Sequence, residues 1–194
     1  MSVFELYFKV GVQHIADLKG YDHILFIITL CAIYSFREWG KVLMLVTAFT
    51  IGHSITLALA TLKVLIIDTD LIEFLIPLTI FLTALANIFF RKKERRLLLH
   101  FLKYGAALFF GLIHGLGFSN YLRSLLGSEQ GMWKPLLAFN LGIEGGQLII
   151  VAAIFILSIL TVDILRAPRR EWNLVLSGAG LGISLILMVE RFPF

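Results

Sequence analysis

Residues 136–162 read LLAFNLGIEGGQLIIVAAIFILSILTV, twenty-seven positions with one charged side chain, Glu144. A helix that crosses a bilayer needs about 20 mostly apolar residues, so this stretch predicts a transmembrane span. Working outward, four more runs of the same kind appear at about 41–62, 71–90, 104–122 and 173–190, joined by short charged or Gly/Pro-containing connectors. The first apolar run is shorter. Either a first span covers about 12–36, or Val3–Leu18 lies in the membrane interface as an amphipathic lead-in helix. The expected fold is a single all-α membrane domain over residues 1–194, a bundle of about six transmembrane helices with this N-terminal segment as its variable part.

Composition agrees. The chain is 59% apolar and 15% charged, with a mean hydropathy of +0.91. A soluble domain carries about 45–50% apolar and about 25% charged residues, so a water-soluble globule is excluded. The net charge of +4 does not point to nucleic acid, because the basic residues sit in connectors and form no face in water. The single cysteine, Cys31, cannot form an internal disulfide or a thiolate cluster. Any metal site must therefore use histidine, carboxylate or amide ligands.

Alternating spans place eleven Lys and Arg on one side, with Arg91–Arg96 as the largest group, and six on the other. By the positive-inside rule the eleven face the cytoplasm, so both termini face outward, in a bacterial inner membrane. The start of the chain lacks the basic region of a cleaved signal peptide.

An ionisable group within a bilayer costs about 2.5–3.5 kcal/mol on insertion scales and marks a functional site by default. His53, His114 and Glu144 fall inside three predicted spans, each about 12–13 Å below the outer end at ~1.5 Å per residue. Asp22 and His23 stand at the start of the first apolar run, with His14 before them. All six belong to the outer half, and His100 falls in a cytoplasmic connector. Neutral imidazoles with one or two carboxylates at one level are what a divalent transition metal requires. A nitrogen-rich set suits nickel, cobalt, zinc or copper better than magnesium or calcium. Asn140, Glu144 and Gln147 follow i, i+4, i+7 spacing on one helix face, and Ser54 adjoins His53, so these polar groups support the site.

Three motifs carry a family resemblance. Gly11-Val12-Gln13-His14-Ile15 with Gly20-Tyr21-Asp22-His23-Ile24-Leu25-Phe26, then Gly111-Leu112-Ile113-His114-Gly115-Leu116-Gly117-Phe118, then Phe139-Asn140-Leu141-Gly142-Ile143-Glu144-Gly145-Gly146-Gln147 resemble the motifs of the HupE/UreJ family of small membrane proteins. Phe49-Thr50-Ile51-Gly52-His53-Ser54 is similar to a stretch of the nickel–cobalt transporter family. The resemblance implies secondary transport of Ni²⁺ or Co²⁺.

The leading expectation is thus a metal-ion permease with His14, Asp22, His23, His53, His114 and Glu144 at its site. The partners are the metal ion and the lipid bilayer, with homo-oligomerisation left open. The alternative is an intramembrane zinc hydrolase acting on a lipid or membrane peptide, with three histidines on Zn²⁺ and Glu144 as general base. A metal sensor or assembly partner is a third reading. No G-x-x-x-x-G-K-[ST] loop occurs, so a permease would draw on the membrane potential, a proton or downstream trapping.

Overall fold

A computed structural model of the chain describes residues 2–65, 67–89, 97–126 and 133–193, without the side chains of 97–101, 120, 123 and 126. The basic run Arg91–Arg96 and the side chain of His100 lie outside the described residues. The described elements are helical: α1 (Val3–Ile15), α2 (Asp22–Cys31), α3 (Trp39–Thr61), α4 (Thr69–Phe89), α5 (Leu97–Gly117), α6 (Ser119–Leu126), α7 (Trp133–Ser158) and α8 (Arg169–Glu190). A π-helical segment, Ile159–Ile164, extends α7. Among the described residues, four helical stretches are long and apolar enough to cross a bilayer: Phe36–Thr61, Thr69–Phe89, Trp133–Ile164 and Arg169–Glu190. The protein is an all-α membrane protein, but the expectation of six similar spans needs correction at its first and fourth members.

The first apolar run is not a continuous helix. Ser2 caps α1, its hydroxyl accepting from the Glu5 amide while the Glu5 carboxylate accepts from the Ser2 amide, a reciprocal capping box. The helix stops at Ile15 because Asp17 folds back on the backbone, its Oδ1 accepting from the Lys19 amide at 2.8 Å, the local turn that Asp side chains favour over helix. Gly20 completes the break, and α2 restarts with ten residues, roughly 15 Å and too short to cross alone. The fourth apolar run likewise divides, α5 ending at Gly117 and α6 carrying the chain on from Ser119.

Three helix groups build the bundle. In the first, α3 and α5 run parallel in backbone contact: a Cβ on Gly52 would collide with the Leu108 carbonyl, and one on Gly111 with the Phe49 carbonyl. In the second, α1 and α7 repeat the arrangement, with Gly11 against the Phe139 carbonyl and Gly142 against that of Phe8. Without a water-driven force between helices in lipid, such approach through small residues supplies the packing, and Cα–H groups face carbonyls across it.

The third group is polar. α4 packs chiefly on α8, with α2 against both. Asn87 donates to the Thr29 carbonyl at 2.7 Å and to Ser177 Oγ at 3.3 Å. Asn173 donates to the Asn87 carbonyl, and Ser177 donates to Asn173 Oδ1, both at 3.0 Å. Interhelical bonds of this type in membranes average about 0.6 kcal/mol and reach ~1.7. Because Asn87 joins three helices at once, Asn87→Ala is expected to destabilise by about 1 kcal/mol. A thermal melt of the detergent-purified protein checks this, and an unmoved transition would contradict it.

Candidate metal centre

Each helix group delivers histidine to one place. His14 ends α1, His23 opens α2, and His53 and His114 lie within α3 and α5. The break at residues 16–21 folds His14 and His23 together, with ring centroids 4.6 Å apart. His53 stands 5.8 Å from His14 and 6.1 Å from His23, and His114 stands 5.1 Å from His23. One ligand nitrogen from each of His14, His23 and His53 lies within 4.8 Å of the others. A tetrahedral ion with bonds of ~2.0–2.1 Å needs nitrogens about 3.3 Å apart.

The site is dry. His53 is fully buried, and His23 and His114 are nearly so. Buried polar atoms in native proteins are almost always hydrogen-bonded, and each exception needs an explanation. Among the described residues, ten buried side-chain nitrogen and oxygen atoms lack a partner, and six belong to this cluster: His14 Nε2, Asp22 Oδ1, His23 Nε2, both ring nitrogens of His53, and His114 Nδ1. Each neutral imidazole keeps one lone pair, so each of these rings can offer one buried nitrogen that no protein donor occupies, which is what a metal ligand requires. Neutral nitrogens of this kind favour cobalt, nickel, copper or zinc over the hard, oxygen-seeking cations.

Aromatic rings wall the cluster. Phe118 lies tilted with its ring centroid 3.8 Å from that of His14, Phe49 sits 5.0 Å from His114 and 6.1 Å from His53, and Phe26 sits 5.4 Å from His114. An apolar shell of this kind controls solvent access and the local dielectric around a metal. None of these phenylalanines is among the site residues expected from the sequence. Part of their signal is positional: Phe49 precedes His53 by four residues on α3 and Phe26 follows His23 by three on α2, so each shares its histidine's helix face, whereas Phe118 lies just past the end of α5 and meets His14 from another helix.

The carboxylates are placed differently. Asp22 adjoins His23, but its Oδ2 pairs with Arg191 at 3.0 Å. Arg191 follows α8 and was not among the residues expected at the site. Glu144 accepts from Thr47 Oγ1 at 2.9 Å and lines a groove of about 280 Å³ between α3 and α7, with Thr47, Thr50, Ser54 and Asn140 on its walls. No hydrogen bond among the described residues joins Glu144 to a histidine. Of the supporting residues, Ser54 donates to the Thr50 carbonyl, Asn140 donates to the Leu136 carbonyl, and buried Gln147 accepts from Thr50 Oγ1 at 2.6 Å. The structure thus gathers the four histidines, sets Asp22 beside them, and places Glu144, Asn140 and Ser54 on a separate groove.

The family description HupE / UreJ protein matches residues 1–191. No curated protein and no solved structure matches the chain. The family match includes the histidine cluster and the helices that carry it, and on that extent the chain belongs to the HupE/UreJ family.

Proposed function

We propose that this protein is a permease for a divalent transition-metal ion, nickel or cobalt, and that the ion binds through His14, His23 and His53, with His114 and Asp22 beside them. The observation that supports this most is the convergence of buried, unpartnered imidazole nitrogens from three helix groups. A site at the junction of separate groups can open to either side when one group rocks against the others, as in transporters whose substrate sits between helix bundles.

In this reading the protein lies in an inner membrane with both termini outside, and the ion moves inward. An inside-negative potential contributes about 2.3 kcal/mol per charge per 100 mV, so a dication gains about 4.6 kcal/mol. Asp22 offsets part of the ion's charge if it exchanges Arg191 for the metal. Glu144, in its own groove, is a candidate proton carrier, not a ligand.

Proteoliposomes with an imposed inside-negative potential test the reading. Radioactive nickel or cobalt is expected to accumulate above the level in protein-free vesicles, with His23→Ala abolishing the excess. Zinc supplied as competitor ranks the metals. No uptake above the protein-free level, under potential and with correctly inserted protein, would refute transport.

A further inference from the structure

Thr79, on α4, touches the cluster from outside the motif residues. Its side chain is buried, and Oγ1 lies 2.7 Å from the Ile76 carbonyl oxygen and 3.0 Å from His114 Nε2. A hydroxyl has one proton to give, and a carbonyl oxygen can only accept. The Thr79 proton therefore goes to Ile76, and what Oγ1 presents to His114 is a lone pair. The bond between them then requires a hydrogen on Nε2. A neutral imidazole carries one N–H, so the lone pair of His114 is on Nδ1, and Nδ1 is the atom left buried without a partner.

Metal-ligating histidines characteristically donate their other N–H to a neighbouring acceptor, which fixes tautomer and ring orientation. We infer that Thr79 is a positioning residue for the metal site: by accepting the Nε2 proton it commits His114 to bind through Nδ1, as a fourth nitrogen joining His14, His23 and His53. The inference rests on the metal-binding reading above and adds to it a defined ligand atom. It also fits the grouping of the ligand nitrogens, in which His14, His23 and His53 lie within 4.8 Å of one another without His114, since the His114 ring is tethered to α4, whereas the other three rings have unpartnered Nε2 atoms.

Two measurements on the purified protein test it. In the metal-free protein, nitrogen NMR of labelled histidine is expected to show His114 protonated at Nε2, and Thr79→Val is expected to release it to a mixture of tautomers. In a cobalt titration, Thr79→Val is expected to weaken binding about 10–100-fold, the usual cost of losing such a partner, and to alter the visible ligand-field bands. Thr79→Ser is expected to restore affinity, spectrum and tautomer. On a His114→Ala background Thr79→Val is expected to change neither affinity nor bands. The inference is overturned if His114 carries its proton on Nδ1, if Thr79→Val binds cobalt as the wild type does, or if it weakens binding equally without His114. A wild type that binds neither cobalt nor nickel removes the metal reading and this inference with it. A wild type that binds cobalt while Thr79→Val leaves affinity and bands unchanged removes this inference alone.

Discussion

Replacing His53 with alanine is expected to reduce nickel or cobalt affinity by more than about 100-fold and to stop uptake. The magnitude follows from comparison with outer-shell partners, whose loss alone costs about 10–100-fold. His53 is a stronger case, because both of its ring nitrogens lack protein partners and it is fully buried. It also stands in the group whose nitrogens fall within 4.8 Å of one another, so its removal leaves two of the three. Elemental analysis of the purified variant, with size-exclusion chromatography to show that it is folded, provides the measurement. Unchanged metal occupancy would remove His53 from the ligand set.

The second large effect is expected at a residue with no side chain. In Gly111→Ala the new methyl meets the Phe49 carbonyl at a distance no real contact permits. The obstacle is backbone, so no rotamer change relieves it and α3 and α5 must separate. Overpacking of this kind typically costs about 1–3 kcal/mol, occasionally more. The damage extends to function, because His53 and His114 ride on the two helices that are pushed apart. Gly111→Ala is expected to lower both the melting temperature and the metal affinity. Gly105→Ala serves as control on the same helix, since nothing lies within 4 Å of its would-be Cβ, and it is expected to be neutral. Equal behaviour of the two variants would show that the α3–α5 approach does not hold the site.

Much of this was legible in the chain. Hydropathy reports where an apolar run is long enough to cross a membrane, and it locates α3, α4, α7 and α8 closely. The cost of placing an imidazole in lipid singled out His53 and His114, and His14 and His23 followed from their place beside the first run. The break between α1 and α2 was less visible, because a run of average hydropathy does not show whether Asp17 solvates itself on its own backbone. Periodicity gives the direction of a side chain around its own helix but not the neighbour it meets. Asn140, Glu144 and Gln147 are correctly spaced for one face, yet Glu144 faces Thr47, Gln147 faces Thr50, and Asn140 bonds its own helix. Thr79 and Arg191 carried no signal, since their importance comes from which distant residue each touches. The matching aromatic-or-leucine, x, x, glycine pattern of Phe8–Gly11, Phe49–Gly52, Leu108–Gly111 and Phe139–Gly142 was present in the sequence. Its meaning depends on which helices pair, which the order of the spans does not reveal.

The elbow between α1 and α2 sets the mechanical character of the cluster. Two of its nitrogens come from a short stretch of chain bent back on itself at an exposed turn, so an ion gripping both closes a small covalent ring at low entropic cost. The remaining arms belong to long rods locked to their neighbours by glycine seams. Such an arrangement is a hinged clip mounted on a rigid frame. Flexing at this elbow would change the spacing of His14 and His23 while the α3–α5 seam keeps its place.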